Sequence, residues 1–370
     1  MKVQIHRLFQ YLLDITGEVP EAFIGFSLSQ SPKLRDFLAD LDPDLSLDWN
    51  GASFLGLPAL RDHILSQAGL TLPPEAVLVT AGAAEANYLA LRQILNPGDA
   101  IVTETPGWPQ AAVLARAIGA DLRLVPRRAE SHWRLDPDDI ARAMTNQTRL
   151  IFLSNPNNPT GQLLSPDDLA RIIAIADHYG AWLLVDEVYA GLEWTAPRPP
   201  SIAGLYPRGI TTGSVSKALG LQGIRTGWLI CPDPGLIHDA MVLRENASEI
   251  MNILGEHIAE IALRPARLQE AMTQARRDGA ANLAQLDAFI TAEPRLSWTA
   301  PQAGLIGLAR LDGPAAESFA RTLLAPPYRT FVLPGSAYDQ PQHLRLGVGG
   351  GAAANLALGL TRLHTALAAI

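Results

Sequence analysis

Short apolar runs recur along the chain at Ala76 to Thr80, Ala100 to Thr103, Leu150 to Leu153, Trp182 to Val185 and Gly227 to Ile230, with helical stretches such as Asp167 to Tyr179 between them. A strand without a polar face is buried on both sides, and strands that alternate with helices pair as a largely parallel sheet covered by those helices. The chain is therefore expected to be α/β. At 370 residues it is too long for one ordinary core. The helical run from Leu236 to about Leu286 leads into a smaller α+β domain, with strands at Leu305 to Arg310, Thr330 to Leu333 and Leu344 to Val348 and a last helix rich in alanine and leucine. The expected division is an N-terminal segment 1–48 that joins the small domain and dimer contacts, a large domain 49–250 and a small domain 251–370. A short strand is expected near Leu45 to Trp49.

The polar residues gather where the strands end. Leu183 to Val185 runs into Asp186, Glu187 and Tyr189, and a carboxylate at the carboxyl end of such a strand faces the crevice where doubly wound sheets bind ligands. Asp186 there can keep the pyridine nitrogen of pyridoxal phosphate protonated, and Tyr189 can reach the ring hydroxyl. Alternatively Asp186 is a strand-terminal helix cap with Glu187 merely solvated. Ile151 to Leu153 breaks into Asn155-Pro-Asn-Asn-Pro-Thr-Gly161, whose prolines fix the backbone. Asn158 is the amide placed on the ring oxygen. In Gly213-Ser-Val-Ser-Lys217, followed by Arg225, one amine sits among hydroxyl and anion-binding groups. Lys217 reads as a Schiff-base lysine, with Ser214 and Arg225 serving a phosphate. Val77 to Tyr88 reads as a strand, a small-residue turn and a helix start, which aims the amides of Ala83 and Ala84 at that phosphate. Each segment alone also reads as a surface turn, a polar connection or close packing.

In this order the motifs Asn155 to Gly161, Asp186 to Tyr189 and Ser214 to Lys217 with Arg225 resemble the class I/II aminotransferases, pyridoxal-phosphate-dependent enzymes of fold type I. The resemblance runs from about Leu57 to Gly347 and implies a large domain with a mostly parallel, seven-stranded sheet. It also implies that Trp108, in Thr105-Pro-Gly-Trp-Pro109, stacks on the pyridine face, and that Arg345, in His343-Leu-Arg-Leu-Gly347, grips the substrate carboxylate beside Asn158. Family members are usually homodimers. The implied activity moves an amino group between an L-amino acid and a 2-keto acid, with Lys217 as general base.

Two segments depart from the family pattern. Where many relatives carry a tyrosine that reaches the partner's cofactor, this chain has Trp49-Asn-Gly-Ala-Ser-Phe54, so Asn50 or Ser53 takes that contact or nothing does. Ile24 to Gln30 lacks the Gly-x-Pro ending with which many transaminases contact substrate, which leaves substrate identity and reaction type open. Pro200 to Ile210 is similar to a subgroup of capreomycidine-synthase-like cyclases acting on arginine derivatives, so a lyase, cyclase or oxidase is the alternative. A non-catalytic cofactor-sensing domain is a third reading. Ser29, Asn50 and His343 are candidates for the substrate pocket.

Composition narrows the partners. A net charge of -8 offers no basic stripe for nucleic acid. The single Cys231 excludes intrachain disulfides and fits a reducing, cytoplasmic setting. No apolar run reaches membrane-spanning length. Met1 to Asp14 lacks a cleavage-site pattern and reads as an amphipathic helix that docks on a neighbour. No metal site is expected.

Overall fold

In the computed structural model, which describes residues 2–48, 54–349 and 353–370, seven strands form the central sheet. They are β1 (Val77–Thr80), β2 (Ala100–Thr105), β3 (Asp121–Pro126), β4 (Thr148–Ser154), β5 (Trp182–Asp186), β6 (Gly209–Ser214) and β7 (Gly227–Ile230). Their order is β1-β7-β6-β5-β4-β2-β3. The strands are parallel except β7, which runs antiparallel to both β1 and β6.

Burial explains the apolar runs. In β4, Leu150 and Phe152 enter a cluster with Leu89 and Leu229, whereas Ile151 and Leu153 enter a different one with Ile172 and Val185. Successive residues thus face opposite sides, and both sides are covered. Each fully buried leucine or isoleucine contributes roughly 1.5–3 kcal/mol. Outer strand β3 escapes the apolar pattern because its residues through Leu124 are half-buried or exposed; only Val125 is fully enclosed.

The covering helices start and stop on local signals. Helix Pro166–Tyr179 begins one residue before the expected Asp167, because Ser165 caps it through the Asp168 amide and Pro166 fits the first turn. It ends at Gly180, whose φ of +63° suits a residue without a side chain. The long helical run after Leu236 is three helices, Pro234–Glu245, Ile253–Leu263 and Pro265–Ala292. Asn252 caps the second, and Pro265 forces Arg264 into extended backbone before the third.

The smaller domain has a four-stranded antiparallel sheet in the order Leu333–Pro334, His343–Gly347, Ile306–Leu311, Leu296–Trp298. Two expectations are corrected here. The run Thr330 to Leu333 is not one strand: Thr330–Phe331 pairs in parallel with Ala22–Phe23, and Leu333–Pro334 joins the other sheet. Pro334 offers no N–H to prolong that edge pairing. The stretch from Leu45 forms no strand through Asp48, because Asp42 and Ser46 side chains accept from the Asp44 and Asp48 amides and fold the chain into turns. Leu47 is 70% exposed, so no buried face exists to hold a strand.

The N-terminal helix is shorter than the amphipathic stretch suggests, covering Arg7–Asp14. Leu8 and Tyr11 enter the small-domain core beside Phe331, while Phe9 and Leu13 stay about half exposed.

Candidate active site

A cavity of about 190 Å³ opens where β1, β4, β5 and β6 end. Asp186, Ser214 and Lys217 line it together with Ala83, Ala84, Trp108, Asn158, Tyr189 and Arg225. Residues that lie more than a hundred positions apart thus meet because parallel strands deliver their carboxyl ends to one edge of the sheet.

One end of the cavity suits a doubly charged anion. Helix Ala83–Ile94 begins there, after Gly82 at φ +85°. The Glu85 carboxylate accepts from Ala81, so among the described residues the amides of Ala83 and Ala84 remain without an acceptor. Arg225 swings over the same turn, with its guanidinium donating to the carbonyls of Ala81 and Gln222. A side chain at Gly82 would lie 2.4 Å from that guanidinium and push it aside, and the φ of +85° there itself favours glycine. Ser214 and Ser216 add hydroxyls.

The far end presents Asp186. Its Oδ2 accepts from Asn87 at 2.8 Å and its Oδ1 from the Val188 amide at 3.2 Å. Asn87, in turn, accepts from Thr212 at 2.7 Å. Burial raises the Asp186 carboxyl above the usual range, against the Asn87 and Val188 bonds and the charge of Lys217. Ser154 also lines this end, and its buried hydroxyl has no partner among the described residues. Glu187 is not the solvated residue of the cap reading. It is buried on the other side of the strand, where Ser201, the Ile202 amide and Thr211 donate to it.

Between the ends lies the amine. Burial first, and then the Arg345 charge, lower Lys217 from its ordinary value to about 8, with Asp186 opposing. The amine is 3.4 Å from the Ser27 hydroxyl and sits over the Tyr189 ring at 5.7 Å. The Tyr189 phenol, raised by burial, donates to the same Ser27 oxygen at 2.8 Å. Arg345 is 7% exposed. Its guanidinium donates to Asn158 at 3.3 Å, to the Tyr338 phenol at 2.7 Å and to the Gly25 carbonyl at 2.9 Å, while its Nε has no partner among the described residues. A buried fork with an open donor is suited to a carboxylate.

A second opening, a cleft of about 420 Å³, shares Trp108 with this cavity and Tyr338 with the Arg345 fork. Lys2, residues 4–7, the end of β2 from Thr103 to Thr105, Asp339 and the helix Gln110–Ile118 form most of its other walls. His6 packs edge-on to Trp108 at 6.2 Å.

Asn87, Ser27, Ser154, Ser216 and Tyr338 were not singled out from the sequence. Asn87 could have been, since it lies one helical turn after Ala83 and so shares its face. Among the remaining candidates, Ser29 gives its amide to the Lys217 carbonyl, and its side chain does not line the cavity. His343 makes a T-shaped contact with Trp133 at 5.4 Å and lines neither cavity nor cleft, and burial lowers it to about 4. Asn50 and Ser53 lie outside the described residues.

An electron-poor pyridine bearing a phosphate and an aldehyde fits this donor set. The unused amides and Arg225 match the phosphate, Asp186 matches a protonated ring nitrogen, and Lys217 matches the aldehyde. The chain belongs to the aminotransferase class I and II family, which it matches over residues 50–363. It is an enzyme of the pyridoxal-phosphate-dependent aminotransferase family, of fold type I, with pyridoxal phosphate as its cofactor. It is 28% identical to capreomycidine synthase of Streptomyces vinaceus, over 84% of this chain and 81% of that protein. It is also 28% identical to an arginine–pyruvate transaminase of Pseudomonas aeruginosa, over 84% and 80%. A PLP-dependent aminotransferase from Streptococcus suis superposes with a TM-score of 0.91 at 26% identity, over 100% of this chain and 99% of that one. For the PLP-dependent cyclase OrfR the values are 0.88 and 27%, over 100% and 98%.

Proposed function

We propose that this enzyme is an aminotransferase that moves an amino group between an L-amino acid and a 2-keto acid. The observation that supports the reading is that Lys217, whose amine makes a single long hydrogen bond, to Ser27 at 3.4 Å, is the least committed proton carrier lining the cavity among the described residues. The other titratable groups lining it, among the described residues, are Asp186, Tyr189 and Arg225. Asp186 is held by Asn87 and Val188, Tyr189 by Ser27, and Arg225 is turned onto the phosphate seat. Transamination needs one base to take the proton from the substrate carbon and return it nearby. Elimination or cyclisation also needs a group to serve the leaving group on the side chain.

In this reading Arg345 and Asn158 hold the substrate carboxylate, which fixes the labile C–H bond relative to the Lys217 amine. Ala83, Ala84, Ser214 and Arg225 hold the cofactor phosphate, and Asp186 keeps the ring nitrogen protonated. The bound cofactor supplies an electron-withdrawing ring to the carbon that loses its proton. Lys217, lowered to about 8, is neutral often enough near neutral pH to accept that proton. The substrate side chain extends past Trp108 into the larger cleft. A homodimer, the family's habit, belongs to the same proposal. No helix among the described residues is long and apolar enough to cross a membrane, and a cytoplasmic setting belongs to the same proposal.

A second reading, an amino-acid cyclase, is favoured by the similarity to capreomycidine synthase and to the cyclase OrfR. One experiment separates the two. The loaded enzyme is mixed with a panel of amino acids and no keto acid. An aminotransferase releases one equivalent of keto acid per site and stops, with the cofactor left in its amine form. Repeated turnover without an acceptor refutes the proposal.

A further inference from the structure

Ser27 lies in a coil segment that is clamped from both domains. The Gly347 amide donates to Ile24, Arg345 donates to the Gly25 carbonyl at 2.9 Å, and the Ser29 amide donates to the Lys217 carbonyl at 3.0 Å. These bonds flank Ser27 on either side and hold its backbone, and the residue is 4% exposed. That single oxygen stands 2.8 Å from the Tyr189 phenol and 3.4 Å from the Lys217 amine.

We infer that Ser27 is a positioning residue that holds the Lys217 amine in both of its protonation states. The inference rests on the reading above only in taking Lys217 as the proton carrier. A serine oxygen has two lone pairs and one proton. When the amine is charged, the oxygen accepts from both Lys217 and Tyr189. When the amine is neutral, the serine proton turns toward the nitrogen lone pair, while the oxygen still accepts from Tyr189. The amine therefore keeps one partner at one place as it gains and loses its proton. An alanine at this position leaves a buried phenol and a buried amine without that partner.

The bond accepted from the charged amine is stronger than the one donated to the neutral amine. Loss of Ser27 therefore favours the neutral form, and the midpoint for amine reactivity moves to lower pH. The test is the rate at which cyanate modifies Lys217 in the cofactor-free enzyme, followed by peptide mass spectrometry across pH, beside steady-state kinetics of the loaded enzyme. Ser27→Ala is expected to lower the reactivity midpoint by half a pH unit or more, and to cut kcat about tenfold with KM nearly unchanged. Ser27→Thr restores both. Ser27→Cys, close in size but a poorer hydrogen-bonding group, gives a smaller shift in the same direction and serves if the alanine variant does not fold. A folded Ser27→Ala or Ser27→Cys enzyme with the wild-type midpoint overturns the inference. The cyanate measurement contains neither amino acid nor cofactor, so it stands even if the reaction proves not to be transamination.

Discussion

Replacing Asn87 by alanine tests whether Asp186 is kept ionised by the helix that also begins the phosphate seat. Asn87 is 1% exposed and gives up three bonds in the exchange, to Asp186 at 2.8 Å, to Gln110 at 3.3 Å and from Thr212 at 2.7 Å. A hydrogen bond to a buried ionised group is worth about 1.5–3 kcal/mol, and a stranded buried hydroxyl costs about 1–3 kcal/mol. The cofactor-free variant should therefore lose roughly 3 kcal/mol or more at pH 8. The sign of the pH dependence follows from Asp186. Burial has already raised its folded value above the unfolded one, so the folded state favours the protonated carboxyl, and removing Asn87 raises it further. The penalty on the ionised form is present at high pH and disappears as pH falls and the carboxyl takes up its proton. The gap between wild type and variant should shrink on acidification toward the Thr212 and Gln110 parts alone. Urea unfolding of both proteins from pH 8 downward measures it. In the loaded enzyme the acid limb of kcat/KM should move to higher pH. A gap that stays constant with pH, or stays below about 1 kcal/mol, would refute the role given to Asn87.

Other consequences are equally open to measurement. Lys217→Ala should retain cofactor through gel filtration but show no turnover; normal turnover would remove Lys217 from the reaction. Because Lys217 is lowered to about 8 from its ordinary 10.5, the folded cofactor-free enzyme binds fewer protons than the unfolded chain above pH 8. Its stability should rise between about pH 8 and 10, and Lys217→Met should flatten that rise in urea unfolding. Arg345→Lys loses two-point recognition of a carboxylate, worth about 3 kcal/mol, so kcat/KM should fall roughly a hundredfold for amino and keto acids alike. Lys2, Arg7 and Arg116 line the larger cleft without an ion-pair partner among the described residues; of the two carboxylates there Glu104 is bound to Arg127, so with Asp339 alone unpaired the cations are in excess. Keto acids with a second carboxylate should have a lower KM than neutral ones, and Arg116→Ala should erase the difference.

What the sequence disclosed depended on whether a residue's role is carried by its neighbours in the chain. Asp186, Ser214 and Lys217 were legible because each stands at or just past the end of an apolar strand, where parallel topology sends side chains to a common edge. Strand β3 and the split at Leu333 were not, since one is an outer strand without an apolar run and the other changes partners within four residues. Ser27 and Tyr338 have no local signal at all. They reach the site by contacts with residues 162 and 7 positions away. His343 shows the converse error. It lies two residues before Arg345 on the same strand, so periodicity alone places both side chains on one face. Arg345 reaches the cavity-lining Asn158 because Gly25, Asn158 and Tyr338 offer it acceptors, while His343 meets the ring of Trp133 and is held neutral by burial. Sharing a face fixes direction only; the chemistry of the neighbours decides which side chain becomes part of a site.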